Sequence, residues 1–212
     1  MTETNRERDE RKGQGSLPSR TAVVERNTAE TKIRLALNLD GSGEGEISTG
    51  IGFFDHMLHG FAKHGFFDLS LRAEGDLEVD THHTAEDVGI VLGRAIREAV
   101  GDKKGIIRYG TCILPMDDAL ILCSLDLCGR PYLSWDVRLD RERVGQLETE
   151  MIREFFYAVS YGGEMNLHVK QLDGFNNHHI IEGAFKAFAK ALDMAVGYDR
   201  RITGVLSTKG TL

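Results

Sequence analysis

The chain has few cysteines, no long apolar run and no excess of positive charge. Its three cysteines, Cys112, Cys123 and Cys128, are an odd number and carry no C-x-x-C spacing. They do not make a disulfide framework, so reduced thiols buried in strands are expected. No apolar stretch approaches the roughly 20 residues that a membrane-spanning helix needs. The first twenty residues are polar and hold no apolar core, which argues against a secretory leader and for the cytoplasm. A formal net charge of −7 argues against a general nucleic-acid surface. At 41% apolar and 28% charged residues, the composition is that of an ordinary soluble globular protein.

What the chain does contain is the pattern His-His-x-x-Glu, twice: His82, His83 and Glu86, then His178, His179 and Glu182. Each trio opens a segment of helical periodicity. On a helix, residues i and i+4 share a face while neighbours diverge by about 100°. His82 and Glu86 can therefore hold one ion together, and His178 and Glu182 another. His83 and His179 point elsewhere and are free to serve a different ion. Two such helices, packed close, would make two mixed sites with ligands from both halves.

The surrounding sequence repeats as well. Phe54-Asp55-His56-Met57, a strand over Phe67 to Leu71 and a polar loop precede the first trio. Arg153-Glu154-Phe155-Phe156, a strand over Met165 to Val169 and a Gly/Asn-rich loop precede the second. Apolar stripes follow each trio: Val88, Leu92, Ala95 and Ala99, then Ile181, Phe185, Phe188 and Leu192. Strands are also expected over Thr31 to Asp40, Ala119 to Leu127 and Tyr132 to Leu139. The fold class is α+β, with antiparallel sheets and four main helices. Residues 1–18 read as a mobile polar tail, 19–104 as the first half-repeat and 105–212 as the second. His59 and His168 read as satisfied core histidines, with His168 alternating with Leu167 and Val169 on its strand.

Imidazole and carboxylate donors with open positions suit Mn, Fe or Zn doing chemistry. A structural zinc site is the competing reading, disfavoured because no cysteine lies near these motifs. A phosphate-ester hydrolase and a metal-storage shell are the rival functions.

Four motifs carry a resemblance: Asp55-His56-Met57-Leu58, His82-His83-Thr84-Ala85-Glu86-Asp87, Asn177-His178-His179-Ile180-Ile181-Glu182 and Ser207-Thr208-Lys209-Gly210. In this order, over Thr21 to the C-terminus, the chain resembles the imidazoleglycerol-phosphate dehydratases, in their monofunctional form. The resemblance implies a duplicated fold of the ribosomal protein S5 domain 2-like type, each half a four-stranded sheet with two helices. It implies a 24-subunit homo-oligomer binding two Mn²⁺ per active site where subunits meet. His56, His83, His178 and Glu182 would hold one ion; His82, Glu86, His179 and Glu154 the other. Two positions depart from the family: Glu154, where many members have histidine, and Gly60, where a polar side chain is common. Arg108, Arg130, Ser207 and Lys209 match the phosphate-contact motifs, and Glu30 a residue that reaches a neighbouring subunit's site. The implied reaction dehydrates imidazole glycerol phosphate to imidazole acetol phosphate in histidine biosynthesis. The proton to be removed is barely acidic, and two metals on the ring nitrogens would favour an imidazolate that expels the hydroxyl. Glu30, His64, Glu182 and Lys186 are the acid–base candidates.

Overall fold

The computed structural model describes residues 19–212; the polar tail expected over 1–18 lies outside the described residues. The first half runs β1 (Thr21–Asn27), β2 (Thr31–Asn38), β3 (Gly45–Ser48), α1 (Gly52–Gly65), β4 (Asp68–Gly75) and α2 (His82–Val100). The second runs β5 (Tyr109–Met116), β6 (Ala119–Asp126), β7 (Tyr132–Asp136), the short pair β8 (Arg143–Val144) and β9 (Leu147–Glu148), α3 (Glu150–Gly162), β10 (Asn166–Asp173) and α4 (Asn177–Val196). The sheets have matching orders, β1-β2-β4-β3 and β5-β6-β10-β7. The duplication is thus one of topology, and it is offset only by the extra β8–β9 hairpin.

The sheets are mixed, not purely antiparallel as the sequence suggested. β3 pairs with β4 in parallel, and β7 with β10. In each case the chain leaves the edge strand, passes through a helix and returns, which brings the next strand in parallel. Strand ends also fall short of expectation: β2 stops at Asn38, β6 at Asp126 and β7 at Asp136. Of the cysteines, Cys123 is buried in β6, Cys112 in β5 is only partly buried, and Cys128 is buried in a turn, not a strand. His59 is exposed on α1 and His168 half-buried on the outer face of β10, so neither is a core residue.

The helices pack crosswise between the halves. α1 lies against α4, α2 lies against α3, and α2 and α4 each cover their own half's sheet. The two motif-bearing helices therefore take the opposite half's first helix as main partner, instead of each other. Phenylalanine fills the seam: Phe54 meets Phe155 edge-on at 5.3 Å, Phe155 stacks on Phe185 at 5.0 Å, and Phe61 stacks on Phe188 at 5.4 Å. Between α2 and α3 the backbones themselves touch. A Cβ on Gly93 would lie 2.5 Å from the Val159 carbonyl oxygen and 2.6 Å from the Gly163 nitrogen.

Residues 197–206 fold back, bridging Lys104 to Val205 and Ile106 to Tyr198. Arg20, at the entry to β1, donates to the Val196 carbonyl at the end of α4 and pairs with Asp40. This ties the first half's edge to the second half's long helix.

Two stability predictions follow from these contacts. Gly93→Ala should destabilise the protein by about 1–3 kcal/mol, although alanine is the better helix former, because the blocking atoms are backbone. A urea titration showing equal or greater stability would contradict this. The Arg20 guanidinium holds the Asp40 carboxyl below its ordinary 3.8. Its contribution is present above that pH and lost as pH falls through the lower folded value. With Asp40 half-exposed, Asp40→Asn should cost on the order of 1 kcal/mol at pH 7 and nothing at strongly acid pH, read by thermal melts across pH.

Candidate active site

The first motif helix begins at His82 and the second at Asn177, one residue before His178, and in each half a side chain two residues before the leading histidine fixes the start. Asp80 accepts from the His82 amide at 2.8 Å, and Asn176 from the His178 amide at 3.0 Å. The β8–β9 hairpin braces the first of these ends, because Thr81 donates its hydroxyl to Glu148.

The cross-packing of α1 on α4 brings His56 to the second trio. Ligand atoms of His56, His178 and Glu182 all lie within 4.8 Å of one another. His178 Nε2 is 3.3 Å from Glu182 Oε2, and His56 Nε2 is 3.9 Å from the same oxygen. Phe53 packs edge-on against His178 at 5.0 Å and sets its ring plane. Glu182 is buried, and Lys186 Nζ sits 2.8 Å from its other oxygen. Burial pushes this carboxyl up, but the ammonium, with His56 and His178, brings it net below its ordinary value. Three converging donors, two imidazoles and a carboxylate, fit a divalent metal of the Mn, Fe or Zn type. His64, on the last turn of α1, faces the same group; burial and then the Lys186 charge lower its pKa, so its ring is neutral near pH 7.

His82 and Glu86 form the equivalent i,i+4 pair at 3.8 Å. The second histidines diverge, as their spacing predicts, and each is oriented by a carboxylate. His83 Nδ1 meets Asp76 at 3.0 Å, which raises its pKa, and His179 Nδ1 meets Asp118 at 2.5 Å. Asp118 is held well below the usual carboxylate range by the amides of Asn176 and Phe175, then by His179. Such carboxylate–imidazole pairs fix the tautomer and leave Nε2 to ligate. Facing the Nε2 atoms are carboxylates from corresponding hairpin turns: Glu30 at 3.8 Å from His83, and Asp117 at 3.4 Å from His179. Sequence reading missed Asp76, Asp117 and Asp118. Asp76 lies seven residues before His83 and was open to notice; Asp118, 61 residues before His179, was not.

Among the described residues, the chain gathers only one three-donor cluster. His83 is not brought to His56, His178 and Glu182. Nor do Glu154 and His179 join His82 and Glu86; Glu154 pairs with its neighbour Arg153 at 2.7 Å.

Arg108, Arg130, Ser207 and Lys209 converge on an open groove of about 770 Å³. Arg108 is buried, adopts a left-handed backbone (φ 74°), pairs with Asp126 at 2.6 Å and donates to the Leu206 carbonyl at 2.6 Å. Arg130 and Lys209 are exposed. The Arg108 amide donates to the Ala195 carbonyl, near the end of α4. Glu182 lies thirteen residues earlier on the same helix, so at 1.5 Å per residue the groove and the three-donor cluster are about 20 Å apart along α4.

Known proteins resemble this chain over most of its length. A sequence profile of imidazoleglycerol-phosphate dehydratase fits residues 49–192. The imidazoleglycerol-phosphate dehydratase of Lachnoclostridium phytofermentans is 62% identical over 194 residues, covering 92% of this chain and 99% of that protein. That of Acetivibrio thermocellus is 60% identical over 189 residues, covering 89% and 97%. The crystal structure of the enzyme from Pyrococcus furiosus in complex with (S)-C348 superposes with a TM-score of 0.78 at 39% identity, covering 89% of this chain and 100% of that one. The Staphylococcus aureus structure gives 0.77 at 38%, covering 84% and 99%. The chain belongs to the imidazoleglycerol-phosphate dehydratase family of hydro-lyases.

Proposed function

We propose that the protein dehydrates imidazole glycerol phosphate to imidazole acetol phosphate using two Mn²⁺ per site, at sites completed between copies of the chain. The observation that carries this reading is the His56–His178–Glu182 convergence, built from both halves and centred on a buried anion. One ion would be held by these three with His83 from another copy; the second by His82, Glu86, His179 and Glu154. A carboxylate at position 154 remains a competent manganese ligand.

The need for a second copy rests on distance. A ring, a three-carbon chain and a phosphate span roughly 10 Å, and the imidazole–carboxylate cluster and the cationic groove of one protomer are twice that apart. A substrate gripped at both ends would take its ring from one copy and its phosphate from another. The 24-subunit shell is the closed assembly this reading favours.

In the reaction a hydroxyl leaves the carbon bonded to the ring, a proton leaves the next carbon, and the enol becomes a ketone that keeps its phosphate. Bound at these donors, divalent ions supply Lewis-acid stabilisation of a deprotonated imidazole ring. The chain's residues do the rest. Arg108, Arg130, Ser207 and Lys209 hold the phosphate dianion. His64, neutral near pH 7, can accept a proton, Lys186 can return one, and Glu30 and Glu182 are the carboxylates within reach of the imidazoles. The protein works as a biosynthetic enzyme of the cytoplasm. No helix among the described residues is long and apolar enough to cross a membrane.

Metal-stripped protein should form no ketone, and added Mn²⁺ should restore it without release of inorganic phosphate. Phosphate release would instead identify a hydrolase. His82→Ala should abolish activity and impair assembly by size-exclusion chromatography; a fully active variant that binds both ions would sink the metal assignment. Mixing inactive His178→Ala with inactive Arg130→Ala subunits should recover roughly a quarter of wild-type activity, because some shared sites then draw both halves from intact surfaces. No recovery in confirmed mixed assemblies would place the whole site within one protomer.

A further inference from the structure

Lys103 and Lys104 are neighbours with opposite fates. Lys104 is exposed and pairs with Asp102 at 2.7 Å. Lys103 takes a left-handed backbone (φ 59°) that turns its side chain inward, where it is half-buried. Non-glycine residues hold this conformation only where their surroundings enforce it. Here the enforcing contacts are the Gly105–Gly204 hydrogen bond and the Lys104–Val205 bridge, which lock the turn to the C-terminal segment.

The Lys103 ammonium ends against the turn before Arg130. It lies 3.7 Å from the point a Cβ on Gly129 would occupy, and that point is also 3.1 Å from the carboxyl carbon of Leu212, which lines the cationic groove. The charged groups facing it are Arg108, Asp126 and Glu164, with the Cys128 thiol, and the Leu212 carboxyl group lies beyond the same turn without pairing with it. Neither side-chain carboxylate is available: Asp126 is engaged by Arg108 at 2.6 Å, and Glu164 by Arg97. Among the described residues Lys103 makes no ion pair and no hydrogen bond. A half-buried, unpaired cation next to a second cation is unfavourable on its own, and an anion in the groove would compensate both.

We propose that Lys103 is a positioning charge for phosphate binding, a cation that stands behind the lining of the Arg108–Arg130–Ser207–Lys209 groove and strengthens its hold on an anion without lining it. This inference rests on the reading of that groove as the substrate's phosphate site. Burial lowers the Lys103 pKa, which agrees with a site kept partly dry. The pattern sets Lys103 apart from the exposed lysines, whose charges are met by solvent or by a neighbouring acid.

The test uses the assembled, Mn²⁺-loaded enzyme with inorganic phosphate as competitive inhibitor. Lys103→Met should raise both the phosphate inhibition constant and the substrate KM about tenfold, with a smaller change in kcat, and Lys103→Arg should restore most of the loss. The melting temperature of Lys103→Met should hold or rise, because an unpaired, half-buried charge is removed. A lowered melting temperature with both constants within twofold of wild type would make Lys103 merely structural and overturn the proposal. A weakened phosphate constant with unchanged KM would overturn the substrate role. Arg130→Ala is measured alongside: if it weakens phosphate and Lys103→Met does not, only this inference fails. If neither variant moves phosphate, the groove itself is misread.

Discussion

Each half of this protein presents a sheet with one face to bury and too few helices of its own to seal it. The second helix of each half lies on its sheet, and its remaining apolar side is closed by the first helix of the other half. Fully buried phenylalanines from α1, α3 and α4 hold this crossing, and burial of such rings dominates core energetics. The candidate site depends on the same constraint. His56 reaches His178 and Glu182 only because α1 crosses to the opposite half. A half-repeat by itself would have neither a closed core nor three ligands in one place.

The side chains of the candidate site are held by the chain's own contacts. Glu182 is kept ionised although buried, because Lys186 faces it and two imidazoles stand by. His83 and His179 are each steered by an aspartate, so their outer nitrogens keep a fixed aim. At the far end of α4, Arg108 is fastened to Asp126 and the Leu206 carbonyl, which fixes its guanidinium at the wall of the groove. Pre-set donors of this kind cost little reorganisation when charge is bound or developed. The length of α4 keeps the two ends apart, and that separation makes a lone protomer an incomplete enzyme in the function proposed.

The two halves share topology but have drifted in detail. The orienting aspartate of His83 comes from the loop just before its helix, whereas that of His179 comes from a hairpin turn in another part of the sheet. The second half adds β8–β9, which braces the first half's motif through Thr81 and Glu148. Where the sequence pattern was local and periodic, it was legible. The apolar stripes of α2 and α4, the alternation of β2 and the i,i+4 closeness of His82 to Glu86 and of His178 to Glu182 are all present as read. The signals failed where neighbours in space are distant in the chain. Asp118 and His179 share no spacing rule, and the parallel pairing of β3 with β4 has no signature beyond the intervening helix. Cys128 and His59 were misplaced for the opposite reason: residue type set the expectation, and a turn and an exposed helix face overrode it.

By itself the sequence determined the repeat, the helical start of each His-His-x-x-Glu motif and the divergence of its two histidines, because these follow from chain geometry over four residues. Together with the wider motifs, it also identified the family. Only the tertiary structure decided which histidine joins which trio, which acids orient the rings, and that the cationic groove lies a helix-length from the cluster. Those relations are set by how helices pack across the two halves, through contacts that no short stretch of sequence contains.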